Sequence, residues 1–216
     1  MAIKIALAGN PNCGKTTMFN ALTGANQYVG NWPGVTVEKK EGKLKGKRGK
    51  GEDVIVTDLP GIYSMSPYTL EEVVSRDYVL KENPDVIIDL VDATNIERNL
   101  YLTTQLVETG VPVVIALNMA DLLEKRGIKI DVKRLSMLLD CPIVETSALK
   151  GEGLDKLIDE AIKTAKKSSA DLPKEVFSKE MEAAIADVKD VLPESITEDK
   201  KRWYAIKFLE NDEKVK

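Results

Sequence analysis

With 216 residues, of which 43% are hydrophobic, the chain is long enough to bury one substantial core and a small additional unit. Its 31 basic and 35 acidic residues leave a formal net charge of −4, which excludes a general attraction to nucleic acid. Histidine is absent, so no imidazole base or metal ligand can come from this chain.

Short apolar runs rich in Val and Ile alternate with helical patterns over the first 165 residues. The predicted strands are IKIALA (3–8), DVIVTDL (53–59), DVIIDLVDA (85–93), VPVVIALNM (111–119) and CPIVETSA (141–148), and later helices are predicted at 99–109, 131–139 and 153–165. This alternation predicts an α/β fold with a mostly parallel, six-stranded sheet and helices on both faces. The sixth strand comes from 35–57, where two β-prone runs flank the turn KLKGKRGKGED and predict a hairpin with one antiparallel edge strand.

That turn is the only basic run in the sequence, and two interpretations apply to it. Its charges could contact nucleic acid or anionic lipid, or they could lie in solvent and protect an edge strand from unwanted pairing. Because no aromatic residue interleaves with the charges, we favour the solvated turn.

A helical unit follows the α/β part. A polar connector, KKSSADLPKE (166–175), leads to an apolar stripe at helical spacing over 177–192, and a second stripe begins at Trp203. Two such helices cannot form a core alone, so we expect them to dock on the preceding domain. We therefore predict one domain at 1–167 and a helical domain at 173–216 that is incomplete at its C-terminus.

The two cysteines, Cys13 and Cys141, lie in unrelated contexts and are typical of reduced thiols rather than of a disulfide framework. They are not at metal-ligand spacing, so we expect no iron site within this chain. The sequence shows no signal-peptide pattern and no apolar run of membrane-spanning length. We expect a soluble intracellular segment.

The stretch GNPNCGKT, Gly9 to Thr16, matches the pattern G-x-x-x-x-G-K-[ST] between a predicted strand and a predicted helix. Its glycines allow backbone N–H groups to surround phosphate oxygens at a helix N-terminus whose dipole favours anions. Lys15 adds a positive charge near the β- and γ-phosphates, and the Thr16 hydroxyl can bind Mg²⁺. The stretch therefore predicts a nucleotide phosphate site.

Three shorter motifs end later strands in the order that a guanine-nucleotide site requires. In DLPG, Asp58 can hold a Mg²⁺-bound water, and the Gly61 N–H can meet the γ-phosphate. In NMAD, the Asp121 carboxylate can accept hydrogen bonds from guanine N1–H and the 2-amino group, whereas adenine presents an acceptor there. In SAL, the Ala148 N–H can reach guanine O6. Together, at the carboxyl ends of parallel strands, these motifs predict a GTP site.

In series, these motifs resemble those of small Ras-like GTPases. The stretches VGNWPGVTVE, DLPGIYSMSPYTLEE and LVDATNIERNLYLTTQL, with RWYAIKFLE near the C-terminus, resemble one branch, the cytosolic N-terminal region of the FeoB ferrous-iron transport family. The similarity covers essentially the whole chain. It implies a Ras-like P-loop GTPase fold, followed by a helical domain like a guanine-nucleotide-dissociation inhibitor.

The same resemblance implies a function and a place in the cell. We expect a domain that binds GTP and GDP, hydrolyses GTP, and regulates Fe(II) passage at the cytoplasmic face of the prokaryotic inner membrane. Its expected partner is the transporter's own membrane domain, which lies outside this sequence. The resemblance allows a homo-oligomer and implies no nucleic acid partner.

The resemblance also assigns residues that spacing alone does not. Thr36 would be the switch I threonine that binds Mg²⁺ together with Thr16 and Asp58. Glu71 and Glu72 fall where the family links switch II to the helical domain, although a solvated helix start explains them equally well. The full set of predicted GTP-binding residues is Gly9, Asn10, Pro11, Asn12, Cys13, Gly14, Lys15, Thr16, Thr17, Gly34, Val35, Thr36, Asp58, Leu59, Pro60, Gly61, Asn118, Met119, Asp121, Ser147, Ala148 and Leu149.

Two positions depart from the usual pattern. Met119 stands where Ras-like proteins carry a lysine, and the loss of that packing over the base predicts loose nucleotide binding. Cys13 stands where the family more often has Ser or Val. Its thiol could be a redox group at a helix N-terminus, but we favour a small filler residue.

This sequence also lacks some of the catalytic groups of Ras-like enzymes. Ile62 occupies the position of the water-orienting glutamine, and NQYVGNWPGVT (26–36) contains no Arg or Lys. Potassium-activated members of the family hold K⁺ beside the phosphates with an asparagine that corresponds to Asn12 and with backbone carbonyls that correspond to Gly30 and Trp32. The resemblance thus implies slow, K⁺-activated hydrolysis, in which the ion does the electrostatic work of an arginine; alternatively, Asn12 only caps its own loop. The implied catalytic residues are Asn12, Lys15, Thr36 and Gly61.

Two other functions fit parts of the sequence. A ribosome-assembly GTPase can share this phosphate loop, but it would need a basic RNA-binding appendage, and 171–200 carries nine acidic and four basic residues. A non-hydrolysing nucleotide sensor would keep the binding motifs without cleaving GTP.

Overall fold

The computed structural model describes residues 2–24, 27–46, 48–66, 68–125, 127–167, 176–213 and 215. Over these residues the strands are β1 (Ile3–Gly9), β2 (Gln27–Asn31), β3 (Glu38–Lys43), β4 (Val54–Asp58), β5 (Val86–Asp92), β6 (Val113–Asn118) and β7 (Ile143–Thr146). The helices are α1 (Lys15–Thr23), α2 (Leu70–Asp77), α3 (Ile96–Val107), α4 (Ala120–Glu124), α5 (Val132–Leu139), α6 (Leu154–Ala165), α7 (Lys179–Val191) and α8 (Glu198–Leu209). None of the helices in those ranges is long and apolar enough to cross a membrane. Most of the predicted connector, and with it the predicted boundary between 167 and 173, lies outside the described residues.

The strands form one sheet in the order β2-β3-β4-β1-β5-β6-β7. β4, β1, β5, β6 and β7 are parallel, and β3 is antiparallel to both β4 and β2. The predicted α/β fold and the predicted hairpin are confirmed, but the sheet has one strand more than six and its antiparallel strand is second from the edge. The extra strand, QYVGN, stays half-exposed and pairs through its backbone, so it has no apolar pattern by which to predict it.

Two apolar clusters cover the two faces of this sheet. Ile88 and Leu90 of β5 pack in the cluster that includes α1 and α6, whereas Ile87 and Val91 pack in the cluster that includes α2 and α3. Successive residues of a strand point to opposite faces, and β5 is buried on both, as a central parallel strand should be. The sheet is therefore a fixed platform for the loops at its carboxyl edge.

The basic turn after β3 is held against α6 by ion pairs. The Arg48 Nε lies 2.7 Å from Asp155 and its Nη1 donates to the Ala21 carbonyl, while the Lys50 Nζ lies 2.8 Å from Asp159. These paired cations anchor the turn, although Lys50 itself remains largely exposed. Lys47 of the same run lies outside the described residues.

The C-terminal helices α7 and α8 form a small cluster of their own, which contains Ile185 and Ala205. They dock on the end of α3 through Arg202, which contacts Glu108 at 2.7 Å and Glu182 of α7 at 2.6 Å. These hydrogen bonds from Arg202 lower the pKa of Glu182 to about 2. The expected docking of the two helices on the preceding part of the chain is present.

Candidate nucleotide site

The GNPNCGKT segment joins β1 to α1 through backbone conformations that glycine adopts most easily. Gly9 has φ of 149°, and a Cβ there would lie 2.8 Å from the Cys13 Sγ; Gly14 has φ of 94°, and a Cβ there would lie 2.6 Å from the Asn118 Nδ2. Glycine is therefore required at both positions. No described side chain caps the N-terminus of α1, and its first turn has no acidic residue. The backbone N–H groups there can consequently receive an anion.

Lys15 and Asp58 form a shielded ion pair at the centre of the site. The Lys15 Nζ lies 2.8 Å from the Asp58 Oδ1, and the two side chains are 11% and 8% exposed. Burial raises the pKa of the Asp58 carboxyl, and the Lys15 ammonium offsets part of that increase. This pair places the predicted phosphate-binding cation beside the predicted Mg²⁺ ligand.

Two other side chains of the loop, those of Cys13 and Asn10, are turned away from solvent, whereas Asn12 and Thr16 are exposed. Cys13 is 1% exposed, and burial, followed by the nearby Asp89 carboxylate, raises the pKa of its thiol to about 12. A thiol of this kind is unreactive, so the structure favours the filler role over the redox role. Asn10 is also buried, and its Nδ2 lies 3.5 Å from the Arg98 carbonyl oxygen. A contact from Asn10 to a phosphate would therefore come from its backbone.

Asn118, at the end of β6, connects the phosphate loop to the SAL turn. Its Nδ2 donates to the Cys13 carbonyl at 2.9 Å, and its Oδ1 accepts from the Ala148 N–H at 3.1 Å. The side chain is 2% exposed, so both bonds are shielded from water. The Ala148 N–H, predicted to meet guanine O6, already has an acceptor in this structure.

Asp121 lies in the first turn of α4, after Met119, which adopts the left-handed conformation with φ of 63°. The Lys150 Nζ donates to the Asp121 Oδ2 at 2.7 Å. This hydrogen bond lowers the pKa of Asp121 and raises the pKa of Lys150. The sequence did not single out Lys150, although it directly follows the SAL motif.

The segment predicted as switch I lies along the edge of the sheet. Gly30 pairs with Lys39 in the β2–β3 ladder, and the Trp32 carbonyl accepts from the Val35 N–H at 3.2 Å. The Trp32 ring is buried and packs edge-on against Tyr78, with ring centroids 5.3 Å apart. Thr36 follows in an exposed position. The predicted K⁺ carbonyls thus belong to a strand and a turn in this conformation.

The DLPG segment passes close to the phosphate loop. A Cβ at Gly61 would lie 3.2 Å from the Pro11 Cα, and the Ile62 N–H donates to the Gly9 carbonyl at 3.3 Å. Ile62 is 3% exposed and belongs to the core cluster on the α2 side. Its side chain therefore faces the core rather than the site.

Switch II contacts α8 through residues other than the predicted glutamates. Glu72 accepts from the backbone of Thr69 in an N-terminal capping box of α2, and Glu71 is exposed. The contacts come from α8, where the Lys207 Nζ donates to the Ser66 Oγ at 3.1 Å, and from Asp212 just after α8, which forms a buried pair with Arg76 at 3.1 Å. No spacing in the sequence indicates these contacts.

The predicted Mg²⁺ ligands at this edge of the sheet are oxygen donors. Within the described residues, no group of three or more Cys, Asp and Glu side chains could hold a metal ion by themselves. The hydroxyls of Thr16 and Thr36 and the carboxylate of Asp58 are nevertheless the ligand types that Mg²⁺ prefers beside nucleotide phosphates. The donor chemistry fits a nucleotide-dependent Mg²⁺ site.

Comparison with protein families matches two models to this chain. "Ferrous iron transport protein B" matches residues 3–161, and "FeoB cytosolic helical domain" matches residues 177–216. The chain belongs to the FeoB family. Both the Ras-like fold and the resemblance predicted from the motifs are thereby confirmed.

Curated relatives agree with this assignment. The Fe(2+) transporter FeoB of Shigella flexneri is 41% identical over 217 residues, which cover 97% of this chain and 27% of that protein. A Fe(2+) transport protein A/Fe(2+) transporter FeoB fusion protein of Porphyromonas gingivalis is 52% identical over 161 residues, or 74% of this chain and 19% of that protein. The chain spans about a quarter of the length of the first of these relatives.

Solved structures of S. thermophilus NFeoB match over nearly the whole chain. A variant bound to GDP superposes with a TM-score of 0.91 at 52% identity, covering 99% of this chain and 81% of that one. NFeoB bound to GDP.AlF4- and K+ superposes with a TM-score of 0.87 at 53% identity, with the same coverage. The fold on which the predicted motifs lie is therefore that of the FeoB G domain.

Proposed function

We propose that this chain binds GTP and GDP, hydrolyses GTP, and acts as the regulatory domain of a prokaryotic Fe(II) transporter. The observation that carries the nucleotide site is Asn118, which joins the phosphate loop to the SAL turn beside Asp121. A base held by Asp121 and phosphates held at Lys15 would then share one rigid support. The S. thermophilus relatives bound to GDP support this proposal.

Base selectivity provides the direct test. Asp121→Asn should weaken GTP binding and strengthen xanthosine triphosphate binding, because the 2-oxo group of xanthine prefers an amide donor to a carboxylate acceptor. Glu152→Gln, an exposed acid on the turn after β7, is the matched control and should keep the preference for guanine. An unchanged preference in the Asp121 variant would reject the assignment of the base site.

The phosphate site requires a change of partner for Lys15. We infer that Lys15 leaves Asp58, now 2.8 Å away, for the β- and γ-phosphates, which frees the carboxylate. Thr16, Thr36 and Asp58 would then hold Mg²⁺, which neutralises phosphate charge when bound. The Gly61 N–H, close to Pro11, would meet the γ-phosphate.

Hydrolysis is proposed to depend on K⁺ and to be intrinsically slow. Asn12 would supply a side-chain ligand and Gly30 and Trp32 would supply carbonyls, so 30–35 must leave its present ladder and turn. A relative bound to GDP.AlF4- and K+ supports this proposal. When bound, K⁺ would stabilise charge that develops between the β- and γ-phosphates.

Rates in K⁺ and Na⁺ test this mechanism. K⁺ should accelerate hydrolysis roughly tenfold or more over Na⁺, about 1.4 kcal/mol of barrier. Asn12→Ala should abolish the difference, whereas Asn20→Ala, an exposed control on α1, should retain it. Equal rates in both ions for the unmutated chain would reject the K⁺ mechanism, and no single-turnover cleavage in either ion would favour a sensor.

The wider assignments are proposals of the same kind. We propose a G domain at 1–167 and a helical domain at 173–216, in line with the family matches at 3–161 and 177–216. The partners would be the transporter's membrane domain at the cytoplasmic face of the inner membrane and, in a homo-oligomer, further copies of this chain. We propose no nucleic acid partner, and filter binding with ribosomal RNA tests this point.

A further inference from the structure

Lys150 occupies the acceptor that the proposed function reserves for guanine. Its Nζ lies 2.7 Å from the Asp121 Oδ2, and the two side chains are 48% and 28% exposed. The pair joins two different elements, because Asp121 lies in α4 and Lys150 lies in the turn after β7. The contact is therefore made by the fold and not by neighbouring positions on one helix.

The turn that carries Lys150 is itself well defined. Ser147 and Glu152 exchange both backbone hydrogen bonds at 3.1 Å, which closes a tight loop with Lys150 near its tip. The Ala148 N–H is held by Asn118 at its base. The long Lys150 side chain can consequently leave Asp121 while the backbone of the turn stays in place.

We propose that Lys150 is an internal competitor of the guanine base: its ammonium pairs with the Asp121 carboxylate that the base would use, and it thereby weakens nucleotide binding and speeds release. This inference rests on the proposed function, because it requires Asp121 to be the guanine acceptor. This effect adds to the loose binding predicted from Met119. The residue at 119 affects the complex with the base, whereas the Lys150 pair stabilises the protein without the base.

The sign of the effect is the same in either bound geometry. If guanine displaces the ammonium, binding must break an existing ion pair. If the base shares the carboxylate with the ammonium, its N1–H and 2-amino groups meet an acceptor whose charge is already compensated. In both cases a free Asp121 carboxylate would bind the base more tightly than the paired one.

The magnitude follows from exposure. An ion pair with two partly exposed members is stabilised only weakly, so its removal should tighten GDP binding by roughly two- to fivefold. Salt screens such a pair, and the difference between the unmutated chain and a variant without the ammonium should shrink as ionic strength rises. The gain should appear mainly as slower GDP dissociation, since most affinity differences between related complexes lie in that rate.

Three variants test the role of the ammonium by stopped-flow release of fluorescent GDP at low and high salt. Lys150→Met should slow release by the stated factor, whereas Lys150→Arg, which preserves the pair, should behave like the unmutated chain. Lys125→Met removes a nearby exposed charge that acts on Asp121 through space; the Lys125 backbone N–H, which donates to the Asp121 carbonyl, is kept, and the variant should have a smaller effect. Unchanged or faster release from Lys150→Met would overturn the proposal, as would an equal effect of Lys125→Met.

A double-mutant cycle separates this inference from the function on which it rests. In the Asp121→Asn background, Lys150→Met should no longer tighten binding, measured with xanthosine diphosphate, because an amide makes no ion pair. A full gain in that background would show that Lys150 acts elsewhere and would overturn the inference alone. If the unmutated chain binds no guanine nucleotide, the proposed function fails, and the inference fails with it.

Discussion

Asp89 is a carboxylate inside the sheet, and its replacement tests the electrostatics of the core. It lies in β5, is 1% exposed, and accepts a hydrogen bond from the Thr103 Oγ1 of α3 at 2.6 Å. Burial raises its pKa from 3.8 to about 6. Asp89→Asn keeps an acceptor for Thr103 but removes the ionisation.

The direction of the pH dependence follows from the raised pKa. The folded chain binds this proton more tightly than the unfolded chain. The contribution of Asp89 to the free energy of unfolding is therefore fully present below pH 3.8 and is lost as pH rises through about 6. The whole shift corresponds to about 3 kcal/mol of unfolding free energy, of which about 2 kcal/mol develops between about pH 4 and pH 8. Cys13 and Cys141 lie in the field of Asp89, but the pKa of each thiol is raised to about 12, so neither titrates in this range.

The assay is urea unfolding at several pH values for both chains. Relative to the unmutated chain, Asp89→Asn should gain about 2 kcal/mol of stability between about pH 4 and pH 8. Asp85→Asn changes an exposed carboxylate just before β5, which accepts from the Lys4 N–H, and it should not reproduce that gain. If the free energy of unfolding depended on pH in the same way for the unmutated and the Asp89→Asn chains, the argument from burial would be refuted.

Three further outcomes are expected. Gly110→Ala should destabilise the chain by about 2–4 kcal/mol in urea unfolding, because φ is 78° and a Cβ would lie 2.3 Å from the Asp199 carbonyl oxygen. Gly127→Ala, with φ of 72° and open space around it, should cost only about 1 kcal/mol of backbone strain. Equal losses in the two variants would contradict the steric argument. Both buried thiols should react with a thiol reagent at pH 8 only as fast as the chain unfolds, and rapid labelling of the native protein would argue against their burial. With Met119 in place of lysine, GDP should bind with a roughly micromolar dissociation constant, and an hour-long residence time in stopped-flow release would contradict this expectation.

The parts of the fold that could be predicted are those that leave a local pattern. β5 and β6 are buried on both faces and read as mainly apolar runs rich in Val and Ile, interrupted in β5 by Asp89, which is why their positions were predictable. The phosphate loop was recognisable because Gly9 and Gly14 meet steric limits that no other residue satisfies. β2 left no such pattern because its pairing uses the backbone alone.

Contacts between distant segments could not be predicted from the sequence. Ser66 and Lys207 are 141 positions apart, and Arg76 and Asp212 are 136 apart, so no spacing rule connects them. The contact of Lys150 could not be predicted either, because a lysine on a polar turn is usually solvated. These residues meet because the fold brings separate loops to one edge of the sheet and places α8 beside α2.

The position of α2 explains how the site and the C-terminal helices can influence each other. The segment that precedes α2 contains Ile62, whose N–H donates to the Gly9 carbonyl of the phosphate loop. At the outer side of α2, Arg76 pairs with Asp212 in an ion pair whose side chains are 7% and 9% exposed, so breaking the pair without replacement is costly. A ligand that moves the DLPG segment must therefore either carry α2 and α8 along together or break that pair. Affinity can change only by the free energy that differs between the two arrangements. We therefore expect substitution of Arg76 to change how strongly nucleotide binding and the docking of the helical unit depend on each other.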